Sequence, residues 1–192
     1  MQQRAGPSSD RSSDVHARYR ALASLDEHWL SFPQALGFDI VRGSESFVSF
    51  DGEGVLNVAP DEDLDPDDTV AALVLHELCH CAVAGERRRR MADWGLTYAA
   101  EPDLRFEHAA LRLQRSLAAS VGIQDLLHPT TVHRSYYDAL AAVDDHGRVA
   151  GRRVGLEGET MELAEKGEAW MRAQDWWLGL QRLLARTAAC GT

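Results

Sequence analysis

The stretch Val70–Arg90, VAALVLHELCHCAVAGERRRR, constrains this chain more than any other. It sets His76, Glu77 and His80 in the spacing His-Glu-x-x-His inside an otherwise apolar run. Just upstream, Asp65-Pro66-Asp67-Asp68 offers an N-cap acid, a proline for the first helical position and acids for the first turn. Gly85 offers a C-terminal stop. A helix between these signals puts residues i and i+4 on one face, so both imidazoles reach a single metal ion. Glu77 stands beside them, placed to handle a proton on a metal-bound water or substrate. Burying two histidines and a glutamate among Leu73, Val74, Leu75, Leu78 and Val83 without a partner would cost on the order of several kcal/mol. The helix reads as a metal platform.

Around this helix the chain reads as one domain. Its 192 residues, 45% of them hydrophobic, suffice for a single substantial core. Residues 1–12, polar and containing Gly6-Pro7-Ser8-Ser9, read as a disordered tail, leaving 13–192 as a single metal-dependent catalytic domain. A formal net charge of -10 argues against a nucleic-acid partner held by general electrostatics. The three cysteines, Cys79, Cys81 and Cys190, make no disulfide framework and fit a reducing compartment. With no leader-like or membrane-spanning apolar run, the expectation is a cytoplasmic protein that does not enter a membrane.

The remaining pattern predicts a mainly helical α+β fold, with a small β-sheet beside a zincin-like metal helix. Apolar spacing from Asp14 to Leu30 predicts a helix that Phe32-Pro33 ends. Short strands are expected at Phe38–Arg42, Phe47–Phe50 and Val55–Ala59, with a turn at Asp51-Gly52-Glu53-Gly54. Thr160–Arg186 reads as one long amphipathic helix, its tryptophans in the core. Between them, a helix from Asp103 towards Gly122 is the natural source of a third metal ligand. Glu107 is the first choice, with His108 and Asp103 as alternatives, because neighbouring residues on a helix point different ways. The basic run Arg87–Arg90 is expected to be a solvated face in part, with one or two arginines holding a substrate carboxylate or Asp93. His128, His133 and His146 have no ligand spacing.

The run HELCHCAVAGERRRRMADWGLTY, followed by PDLRFE, resembles the elongation factor P hydroxylase family. His76, Glu77, His80, Ala84, Gly85, Arg88, Arg89, Asp93, Gly95 and Tyr98 carry the likeness, and Pro102, Asp103, Arg105, Phe106, Glu107 and Gln114 continue it. It covers about 40 residues, and HExxH followed by AGxxRRxxxDxGxxY is far more specific than HExxH alone. The chain departs from the family pattern at Ala109-Ala110, where the family has a further acid, and in its C-terminal third.

The resemblance implies an iron-dependent monooxygenase that hydroxylates a lysine side chain of elongation factor P or a related protein. It implies His76, His80 and Glu107 as ligands to Fe(II), and Glu77 as a further metal contact or catalytic proton-transfer group. It also implies that Arg88, Arg89, Asp93, Tyr98, Asp103 and Arg105 support the site or face the substrate. The same ligand types also suit zinc, so a metallopeptidase with Glu77 as general base is the alternative. A non-catalytic, metal-stabilised interaction module is the third reading, marked by a closed fourth metal position.

Overall fold

The computed structural model describes residues 22–43, 47–65, 68–97, 101–129, 133–140 and 155–191. The N-terminal tail, Tyr98 and His146 lie outside the described residues. Within them the chain forms α1 (Asp26–Ala35), β1 (Asp39–Arg42), β2 (Val48–Phe50), β3 (Val55–Val58), α2 (Val70–Arg88), α3 (Glu101–Ala119), α4 (Arg134–Ala139), α5 (Gly155–Arg172) and α6 (Trp177–Gly191). This is a mainly helical α+β arrangement, and no described helix is long and apolar enough to cross a membrane.

The three expected strands form one mixed sheet in the order β1-β3-β2. Strand β3 runs parallel to β1, pairing Asp39 with Val55 and Arg42 with Val58, and antiparallel to β2, pairing Phe50 with Leu56. Alternation explains its orientation: Leu56 and Val58 are buried, while Val55 and Asn57 are half-buried. The β2–β3 turn is built by Asp51, whose Oδ1 accepts from the backbone N–H groups of Glu53, Gly54 and Val55 at 2.7, 2.9 and 2.9 Å. Those bonds hold the Asp51 carboxyl below its ordinary value.

Helix α2 runs through the middle of the molecule, and its residues from Val70 to Ala84 are buried except His76, which is half-buried. It starts later than the acidic cluster suggests. Thr69 is the cap, its Oγ1 accepting from Ala72 N at 3.0 Å, whereas Asp68 Oδ2 is spent on the Asp65 N–H in a separate turn. Gly85 does break the helix, with φ 70° and ψ 169°, a conformation open essentially to glycine alone. A further helical piece then runs to Arg88. Arg89 turns back over the break and donates from Nε to Cys81 O at 2.7 Å and from Nη2 to Ala82 O at 3.4 Å. Its guanidinium also lies 3.7 Å from the centre of the Trp170 ring. The carbonyls freed by Gly85 are thereby satisfied.

Two other boundaries differ from expectation. Helix α1 continues through Pro33 to Ala35, because a proline removes the bond to the turn before it and leaves its own carbonyl free to accept. The Pro33 carbonyl takes the N–H groups of Leu36 at 2.9 Å and Phe38 at 3.1 Å. The single C-terminal helix is in fact two, α5 and α6, separated by a break over 173–176. Trp176 turns there onto Phe32 and Trp170, with ring centroids 6.2 and 5.8 Å apart, and Gln174 Nε2 donates to Trp170 O at 2.9 Å. Gly167 lets α5 close on α2, since a Cβ there would stand 2.9 Å from Val83 Cγ1.

Candidate metal centre

Helix α2 presents His76 and His80 one turn apart, and α3 crosses beside them to bring Glu107 opposite. Glu107 Oε1 lies 3.4 Å from His76 Nε2, and Oε2 lies 3.2 Å from His80 Nε2. The two Nε2 atoms are 2.9 Å apart. Metal–donor bonds of roughly 2.0–2.2 Å put neighbouring ligand atoms about 2.8–3.1 Å apart on an octahedron and about 3.3–3.6 Å apart on a tetrahedron. The three separations, 2.9, 3.2 and 3.4 Å, fall within that span. The side chains are 12%, 4% and 7% exposed for His76, His80 and Glu107, so water does not screen them. Two imidazole nitrogens this close repel unless a cation or a proton stands between them. The donors could therefore hold a metal ion, and among the described residues this is the one group of its kind.

Electrostatics describes the same demand in the metal-free protein. Burial opposes charge on Glu107, but His80 and His76 overcome it and hold the carboxyl far below the usual carboxylate range. Burial likewise opposes the His76 imidazolium, yet the Glu107 carboxylate beside it pushes that pKa up to about 9.

Comparison with known proteins returns no match. No family model matches the chain, and no curated protein or solved structure does either.

Two supporting residues fix the site. Gln114, fully buried on α3, places Oε1 at 2.8 Å from His76 Nδ1 and donates from Nε2 to Leu127 O at 3.0 Å and Ala72 O at 3.4 Å. Trp94 donates its indole N–H to Glu77 Oε2 at 2.7 Å, with both residues buried. The Trp94 ring stacks on Phe50 at 4.1 Å, tying the sheet to the metal helix. Its loop takes an uncommon backbone, with φ 44° at Asp93 and 57° at Trp94. Gln114 and Trp94 lie 38 and 17 residues from the groups they serve, so no local spacing announces either role. Gln114 stands in the mixed run LRLQRSL at 111–117, where only the family resemblance marks it out.

The other expected site residues divide. Asp103 is no ligand. Its carboxylate takes the Thr97 N–H and hydroxyl at 3.0 and 2.7 Å and pairs with Arg88 Nη2 at 2.8 Å, which lowers its pKa to about 2. His108 stacks instead on Tyr136, with ring centroids 3.5 Å apart. Arg88 also donates to the carbonyls of Trp94 and Gly95 and lies 4.1 Å from the Phe106 ring centre, so it staples the end of α2 to the start of α3. The expected arginine–Asp93 pair is replaced by Arg88–Asp103, and Asp93 Oδ1 accepts from Phe50 N at 3.2 Å. Arg89 is the α2 cap described above, and Arg105 pairs at the surface with Glu159 at 2.8 Å. A narrow recess adjoins His80, walled by Val83, Ala84, Arg88, Trp94, Leu96 and Phe106.

Proposed function

We propose that this chain is an oxidoreductase, a non-haem iron monooxygenase that hydroxylates a lysine side chain of elongation factor P or a related protein. The motif run from His76 to Phe106 suggests the reaction, and the two-histidine, one-carboxylate donor set suits ferrous iron with positions left for other ligands. His76, His80 and Glu107 would hold the iron, which when bound supplies the activation of dioxygen that redox-inert zinc cannot.

The observation that favours this reading over a zinc peptidase is the Trp94–Glu77 hydrogen bond. A peptidase needs the glutamate of its motif facing a water over the metal. Here Glu77 is 6% exposed and spends one carboxylate oxygen on a buried indole N–H at 2.7 Å.

The test is a single-turnover assay. Protein loaded with ferrous iron is mixed with elongation factor P, a reductant and dioxygen, and the intact mass of the factor is read. The reading predicts a gain of one oxygen atom on a lysine, abolished by His76→Ala. Oxygen-independent cleavage of peptides by the zinc-loaded protein, with no such gain, would replace it with the peptidase.

A further inference from the structure

The two metal-helix histidines are not equivalent. His76 Nδ1 faces Gln114 Oε1 at 2.8 Å, while His80 Nδ1 is buried and meets no hydrogen-bond partner among the described residues. Gln114 itself has no freedom to turn over. Its amide nitrogen faces two carbonyl oxygens, Leu127 O at 3.0 Å and Ala72 O at 3.4 Å, which accept only from an N–H. The amide oxygen is thus the atom left for His76, and an oxygen accepts only from a protonated Nδ1. With a proton held on Nδ1, Nε2 is the nitrogen left to give up its proton and bind metal; it lies 2.9 Å from His80 Nε2 and 3.4 Å from Glu107 Oε1. We infer that Gln114 is a positioning residue that fixes His76 in the Nδ1–H form and so makes Nε2 a preset metal donor. This rests on the metal centre and not on the reaction assigned to it. An outer partner of a ligand histidine both orients the ring and raises its basicity, and losing one costs about 10–100-fold in metal affinity.

Gln114 also bridges backbone from α2 to the residues after α3, so a variant can fail for structural reasons alone. Two substitutions separate the roles. Gln114→Glu keeps an acceptor for His76 and loses the donors to Ala72 and Leu127, whereas Gln114→Met loses both. Zinc and cobalt affinities are measured by competition with a chromogenic chelator, and nitrogen-15 NMR of the zinc-loaded protein reports which His76 nitrogen carries the proton. The expected result is a Gln114→Met affinity about 10–100-fold weaker than the parent's, with Gln114→Glu within about threefold of it. Both variants lose thermal stability, and the His76 proton is on Nδ1 in the parent. Equal losses in the two variants would reduce Gln114 to a structural bridge and overturn the inference. So would a Gln114→Met protein that binds as tightly as the parent, or a parent His76 protonated on Nε2. Failure of the hydroxylase assay leaves every one of these readouts intact.

Discussion

His76 and Glu107 form an ion pair in the metal-free protein, and the sign of each shift sets its behaviour with pH. The His76 pKa is raised from 6.5 to about 9, so its contribution to stability is complete below 6.5 and is lost as pH rises through about 9. The Glu107 carboxyl is depressed below its ordinary 4.5, so its contribution holds above that value and fades as pH falls beneath it. Urea titrations of the metal-free protein should show this site most stabilising near pH 5–6, with a decline towards 9 that His76→Ala abolishes. Metal must displace the His76 proton, so calorimetry near pH 7 in buffers of different ionisation enthalpy should find about one proton released per ion. No release would contradict the His76 assignment. Trp94→Phe keeps the stack on Phe50 but removes the N–H that Glu77 accepts. Leaving a buried acceptor without its donor costs about 1–3 kcal/mol, and chemical denaturation should show a loss of that order. A loss under about 0.5 kcal/mol would mean that Glu77 finds another partner.

At the scale of elements, the glycines hold the site's framework. Gly85 turns the chain at φ 70° with open space around it, so Gly85→Ala should cost only backbone strain, about 1–3 kcal/mol. Gly52 sits at φ 86°, and a Cβ there would stand 2.6 Å from Ala92 N and 2.8 Å from Met91 C. Gly52→Ala adds backbone overlap to the same kind of strain and pushes on the loop that carries Trp94. It should destabilise the protein more than Gly85→Ala, as paired denaturation curves would show; the reverse order would contradict this packing. The elements themselves were unevenly legible. The strands and the Gly85 break followed from alternation and from a residue with few alternatives. The break between α5 and α6 did not, because apolar spacing runs unbroken from Trp170 to Leu184 while the turn is set by Trp176 packing on Phe32, far away in sequence. The start of α2 was misplaced because four acidic and turn-forming residues outweighed one threonine.

For the whole molecule, one motif held most of what the sequence could say about the site. The His76–His80 spacing announced the platform, and the following helix supplied Glu107 as the third donor. What surrounds the donors was legible only in part: the resemblance marks Arg88, Asp103 and Gln114, but the bonds that they and Trp94 make run across helices rather than along them. Helices α2 and α3 together bring His76, His80 and Glu107 into a group that could hold a metal ion. Metal analysis of protein purified without oxygen or chelator tests it most directly. Under the proposed function, close to one iron per chain is expected, lost in His76→Ala and in Glu107→Ala while both variants remain folded. A parent chain that carries no first-row metal, or variants that keep theirs, would contradict it.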